Sequence, residues 1–154
     1  MPSAALMPRL APDGLTDATC TLCHNTQNAL LQLQGPAGQL DLSDGLSTDE
    51  PDHFRSYREL MFGDNEQVPD MGALQDLLIE VGIDPVTGDP IFQTVNVAPS
   101  MSVNGSISSP RFFDRFMPGG AHEGYLTAAE IRLIAEWLDI GAQYFNNPFD
   151  APQD

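Results

Sequence analysis

The chain contains no lysine and only six arginines, whereas 22 of its 154 residues are acidic, which gives a net charge of −16. A surface of this sign repels phosphate groups, so nucleic acid and anionic membrane surfaces are poor partners. The sequence also lacks a run of about 18 apolar residues, and therefore predicts no membrane span. Its length suits one domain.

Cysteine and histidine, the usual ligands of zinc, are also scarce, with two cysteines and three histidines in the whole chain. A four-ligand zinc site would have to recruit the distant His53 and His122. A thioredoxin-like dithiol needs a βαβ frame, and no such pattern surrounds residues 20–24. Both readings are therefore weaker than the one that follows from the spacing of the cysteines.

Cys20, Cys23 and His24 form the motif Cys-x-x-Cys-His, the attachment site of a c-type haem. The two thiols of such a motif form thioethers with the vinyl groups of the porphyrin, and the histidine binds the iron. The sequence thus predicts one covalent haem c with His24 as the proximal ligand. A protein of this kind most often transfers electrons.

Capping and turn residues indicate where regular structure should lie. Thr16 or Asp17 could cap a short helix that runs into Cys20. Further helices are predicted over residues 53–62, over residues 111–116 after the Ser109-Pro110 start, and after the capping box Thr127–Glu130, up to Gly141. The β-branched runs 77–81 and 91–97 around a Pro/Gly/Asp turn favour a β-hairpin, although the first run also repeats helically. Residues 1–14 should be irregular.

A haem motif near the start and a C-terminal amphipathic helix carrying Trp137 resemble the monohaem class I cytochrome c fold. The segments 99–105, 119–126 and 134–149 are similar to exported bacterial cytochrome domains, including those related to a hydrazine synthase haem domain and modules of carbohydrate-binding redox proteins. The resemblance implies a mainly α fold around the haem over residues 15–150. The segment 64–100 departs from the compact class I pattern and is predicted to be an insertion that contains the hairpin.

The sixth iron ligand of an electron carrier is usually methionine. Met117 lies where class I cytochromes place a Met-Pro loop before the last helix. Met101 lies in the block that resembles the subfamily, and we expect it to be the ligand, with Met117 as the alternative and His122 behind both. Tyr57, Arg58 and Arg111 are candidates for hydrogen bonds to the haem propionates, although an ordinary surface ion pair explains an arginine equally well.

Three functions fit these residues. The first is an electron-transfer module. Its acidity favours a partner with a basic patch, although a role in solubility explains the charge equally well. The resemblance implies that this partner could be a polysaccharide oxygenase or another module of a longer chain. The second is a haem enzyme, peroxidase-like or a subunit of a redox enzyme, with an open or displaceable sixth position. The third is a haem-based sensor or a module that uses haem structurally. Covalent haem is normally attached outside the cytoplasm, so we expect a periplasmic or extracellular protein, although residues 1–10 do not read as a signal peptide.

Overall fold

Three short α-helices and six short β-strands form the regular structure of residues 8–144, the part of the chain that the computed structural model describes. The helices are α1 (Arg55–Met61), α2 (Pro110–Phe113) and α3 (Ala128–Asp139). The strands are β1 (Asp64–Asn65), β2 (Gln67–Asp70), β3 (Ala73–Asp76), β4 (Leu78–Ile83), β5 (Pro90–Thr94) and β6 (Asn96–Val97). The predictions for residues 1–7 and 145–150 lie outside the described residues.

The prediction of a mainly α, class I cytochrome-like fold is wrong, because the helices are few and short and small antiparallel sheets take an equal place beside them. The helix expected to run into Cys20 is only a single 3-10 turn, Cys20–Leu22. Before it, Asp13 and Asp17 side chains accept hydrogen bonds from nearby backbone N–H groups. Such local bonds compete with helix formation. No helix within residues 8–144 is long and apolar enough to cross a bilayer.

Residues 64–97, within the segment predicted to be an insertion, form a branched β structure. Strands β1 and β6 pair antiparallel at its base, and two hairpins, β2–β3 and β4–β5, extend from that base. Backbone hydrogen bonds join the three arms where they meet, from Glu66 to Val95 (2.7 Å), from Leu77 to Glu66 (2.7 Å) and from Val95 to Leu77 (3.3 Å). The hairpin predicted around Asp84 is therefore present as β4–β5, and the helical reading of its first arm is wrong.

The core lies where α1, α3 and the segment after β6 meet. Met61, Met101, Leu138 and Ala142 are buried together, and the partly buried Tyr57, Leu60, Phe112, Phe113, Ile134 and Trp137 pack against them. The amide of Met101 donates to the carbonyl of Leu60 at 2.8 Å, which fixes the chain leaving the insertion against α1. In the described part of the chain, the burial of apolar side chains stabilises the fold mainly through this small core.

The C-terminal helix α3 begins at the predicted capping box. The hydroxyl of Thr127 accepts from the amide of Glu130 at 3.2 Å, and the Glu130 carboxylate accepts from the amide of Thr127 at 2.8 Å.

The prediction that Ser109 caps a helix opened by Pro110 is only half right. Pro110 does open α2, but the Ser109 hydroxyl donates to the Gly105 carbonyl (3.0 Å) and accepts from the Ser102 amide (2.9 Å), so it does not cap the helix.

Candidate functional site around Cys20, Cys23 and His24

The five residues 20–24 form a tight turn that closes on one carbonyl group. The Cys20 carbonyl accepts from the amide of Cys23 and, at 3.0 Å, from the amide of His24. Neither thiol is in a disulfide; Cys20 is half-buried and Cys23 is exposed. The turn therefore supplies two free thiols and one imidazole from adjacent positions of the chain.

The segment that follows the motif folds back over it. The amide of Ala37 donates to the Cys23 carbonyl, and the amide of Leu42 donates to the His24 carbonyl, both at 3.0 Å. Pro36 and Gly38 shape this return, since Gly38 takes a φ of +64° that favours glycine. The return leaves the imidazole half-buried beneath a loop rather than free in solvent.

Burial lowers the pKa of His24, while backbone groups of Ala37 and Leu40 near the ring act in the opposite direction. The Nδ1 atom is buried, and no residue within 8–144 meets hydrogen-bond geometry with it. A neutral imidazole is the form that binds a metal ion, because the ligating nitrogen must carry a lone pair. The environment of His24 thus favours the ligand form of the side chain at neutral pH.

The N-terminal segment ties the motif to the start of α3. Arg9 donates from Nη1 to the Tyr125 carbonyl at 3.0 Å and pairs with the Glu130 carboxylate at 3.4 Å. The Arg9 carbonyl accepts from the amide of Ala18, two residues before the motif. Burial raises the pKa of the Cys20 thiol, and the charge of Arg9 opposes this shift. No sequence pattern singled out Arg9, because the contact depends on a tertiary approach.

His122 is the side chain whose ring the structure places beside His24. The two ring centroids are 5.9 Å apart, and their planes make an angle of 61°. Burial lowers the pKa of His122, and the charges of His24 and Arg115 act in the same direction. Two imidazoles that both favour the neutral form thus lie together, one in the motif and one in the loop before α3.

The loop that carries His122 is held by its own turn. The amide of His122 donates to the Arg115 carbonyl at 2.7 Å, and the amide of Gly120 donates to the Met117 carbonyl at 2.8 Å. A Cβ at Gly120 would collide with the carbonyl oxygens of Asp114 and Arg115, so only glycine fits there. The rings of Phe116 and Tyr125, one before His122 in the chain and one after it, each have their centroid 5.5 Å from that of His122.

The two methionines predicted as iron ligands lie in different surroundings. Met101 is buried, only 4% exposed, in the core with Met61 and Leu138. Met117 is 39% exposed in the loop between α2 and α3. Met101 therefore packs in the hydrophobic core, whereas the aromatic ring next to His24 is that of His122.

Two of the three candidate propionate ligands, Tyr57 and Arg58, have other partners. The hydroxyl of Tyr57 donates to the Ala142 carbonyl at 3.2 Å, and the guanidinium of Arg58 pairs with Asp49 at 2.8 Å while lying over the Phe62 ring. Arg111 is exposed on α2. Their role toward a haem stays a prediction.

A polar cavity of about 440 Å³ lies beside α1. Its lining includes Asp41, Arg55, Glu59 and Asp64. Burial raises the pKa of Glu59 to about 7; the nearby Asp64 and Asp41 carboxylates add to this, and the Asp41 amide and the Arg55 charge oppose it. Sequence reasoning missed Glu59, because its burial depends on the return of residues 36–42 over α1.

No protein-family model, curated protein or solved structure matches the chain. Within residues 8–144, no group of three or more His, Cys, Asp or Glu side chains is arranged to hold a metal ion. The reactive groups of the site are the thiols of Cys20 and Cys23 and the imidazoles of His24 and His122. Together they can attach a planar cofactor covalently and supply one or two nitrogen ligands to its metal.

Proposed function

We propose that the chain carries one haem c, attached by thioethers at Cys20 and Cys23 with His24 as an axial iron ligand, and that it transfers single electrons between redox partners. The observation that carries the proposal is the turn at residues 20–24, which supplies both thiols and the imidazole. When bound, a haem supplies the one-electron couple of its iron. Cys20, Cys23 and His24 would hold it.

The residues present fit such a group. The Cys-x-x-Cys-His spacing meets the requirement for two thioethers and a ligand. Burial lowers the pKa of His24 and so favours the neutral imidazole, the form that would ligate the iron. The exposed Cys23 leaves one edge of the site open to a partner.

The ring contact supports His122 as the residue that would supply a second nitrogen ligand to the iron. The centroids of His24 and His122 lie 5.9 Å apart, and burial favours the neutral form of both imidazoles, which is the form that can bind a metal ion.

Met101 is the competing ligand, supported by the resemblance of its sequence block. Against it stands its burial among core side chains, where the sulfur already has apolar neighbours. Either ligand would fill the sixth position, and a closed iron supports electron transfer rather than binding of a substrate. The alternative of a haem enzyme needs that position open or displaceable.

Carbon monoxide binding separates these functions. We expect the reduced wild-type protein to show no spectral change under carbon monoxide, and the His122→Ala variant to bind it. His53→Ala is the matched control, since His53 packs against Tyr57 and Tyr144 instead of the motif. Rapid binding by the wild-type protein would contradict electron transfer and favour an enzyme. If Met101→Leu opens the site and His122→Ala does not, Met101 is the ligand.

Location and partner follow from the same proposal. Covalent haem attachment outside the cytoplasm supports an exported protein, periplasmic or extracellular. The net charge of −16 supports a redox partner with a basic patch, because complementary charge speeds encounter. A polysaccharide oxygenase as that partner rests on the resemblance to cytochrome modules alone.

A further inference from the structure

The β4–β5 hairpin exposes an unusual amount of apolar surface. Seven large apolar side chains between residues 78 and 92 are at least 44% exposed: Leu78, Ile79, Val81, Ile83, Val86, Ile91 and Phe92. Single exposed apolar residues are ordinary, but a contiguous group of them on one element marks an interaction surface.

The strand register shows that both faces of this hairpin are apolar. Leu78 pairs with Thr94, Glu80 with Phe92 and Ile83 with Pro90, so Leu78, Phe92 and Ile83 share one face. The other face carries Ile79 and Ile91, which pair with Gln93 and Gly82. A two-stranded ribbon in water normally has one polar face, whereas here exposed apolar side chains stand on both faces, beside Glu80 and Thr94 on one and Gln93 on the other.

The charge around the hairpin has one sign. Every charged residue between Arg58 and Arg111 is acidic, including Glu80 within β4 and Asp84 and Asp89 at the turn. Two copies of such a surface would repel each other. A surface that combines apolar side chains with lysine or arginine at its border would satisfy both features.

We propose that the β4–β5 hairpin is the docking surface for a protein partner whose apolar patch is bordered by basic side chains. The apolar face of Leu78, Ile83 and Phe92 supplies the buried centre of that interface. The acidic groups Asp84 and Asp89 at the turn supply the rim that aligns the partner, and Glu80, which lies opposite Phe92 on the same face, would pair with a basic side chain of that partner. The proposal does not depend on bound haem, since it uses residues of the insertion only.

The test uses two synthetic helical peptides as probes, one with a leucine face flanked by lysines and one with serines in place of the leucines. Binding to the isotope-labelled, reduced full chain is followed by NMR and by fluorescence anisotropy. We expect the leucine peptide to shift resonances of residues 78–94 and to bind at least about tenfold more tightly than the serine peptide. Leu78→Thr combined with Phe92→Thr should lower its affinity about tenfold or more, with the strand kept by threonine.

The control variant combines Ile107→Thr and Leu133→Thr, two exposed apolar positions outside the hairpin, and should leave the affinity unchanged. Circular dichroism checks that each variant stays folded; if the double hairpin variant unfolds, Phe92→Thr alone gives the comparison. Equal binding of both peptides would mean charge attraction alone and would overturn the proposal. So would equal losses in the hairpin and control variants, or sedimentation showing that the hairpin joins two copies of the chain.

Discussion

Glu59→Gln should remove a pH dependence of stability that Glu59 causes. The pKa of this carboxyl is raised from 4.5 to about 7, chiefly by burial beside the cavity at α1. Because the folded state holds the proton more tightly than the unfolded state, the stabilisation is fully present below pH 4.5 and is lost as the pH rises through 7.

The full shift corresponds to about 3 kcal/mol, at 1.36 kcal/mol for each pKa unit. Glu59 is only half-buried beside a cavity open to solvent, so screening lowers the expected loss to about 1–2 kcal/mol between pH 5 and 8. The Glu59 carboxylate accepts a hydrogen bond from the Asp41 amide at 3.2 Å, and the glutamine variant keeps an oxygen that can accept the same bond. It should therefore be the more stable protein at pH 8 and lose that advantage at pH 5.

Urea unfolding of the full chain at four pH values between 5 and 8 measures this difference. Glu50→Gln, at an exposed position in the turn before α1, controls for removing one negative charge from an acidic protein. Parallel pH profiles for wild type and Glu59→Gln would refute the reasoning, because they would show that Glu59 titrates alike in the folded and unfolded states.

Three further perturbations test the fold and the charge. Thr127→Ala should lower the free energy of unfolding by about 1 kcal/mol, since it removes the capping box of α3, and an unchanged urea midpoint would contradict this. Leu138→Ala should cost about 2–5 kcal/mol, because Leu138 is fully buried in the core, and thermal unfolding measures it; a loss under 1 kcal/mol would place the core elsewhere. Oxidation of the reduced protein by a cationic redox partner, followed by stopped flow, should slow as salt rises, because charges are screened over about 8 Å at physiological ionic strength; a rate independent of salt would make the acidity a matter of solubility.

The sequence predicts best where a local signal sets the structure. The capping box Thr127–Glu130 is self-contained, so the start of α3 follows from four residues. The β4–β5 hairpin is set by its Asp84 turn, where the Asp84 carboxylate accepts from Val86 (2.7 Å) and Thr87 (3.1 Å). Neither depends on a distant contact.

The mainly α prediction is wrong because it came from a resemblance carried by the motif at residues 20–24 and by segments within residues 99–149. Between them, Asp and Asn side chains accept backbone hydrogen bonds from residues two positions ahead, as Asn25 does from Gln27 and Asn28 from Leu30. These turns occupy the segment after the motif and compete there with helix formation.

Within the candidate site, the sequence singled out Cys20, Cys23 and His24 by their spacing, and it offered His122 only as a ligand candidate behind two methionines. His122 lies 98 positions after His24 along the numbering, and its approach depends on the loop closed at Gly120. The Arg9 contact with Tyr125 and the burial of Glu59 likewise depend on tertiary packing. A single sequence carries no pattern that reports such approaches.

Covalent haem is tested most directly by denaturing the protein, produced in the periplasm with a haem-attachment system, in acid and extracting it with organic solvent. We predict that the colour stays with the polypeptide, that its intact mass equals the chain plus one haem, and that Cys20→Ser combined with Cys23→Ser releases the haem. Haem in the organic phase and a bare polypeptide mass for the wild-type protein would contradict the account.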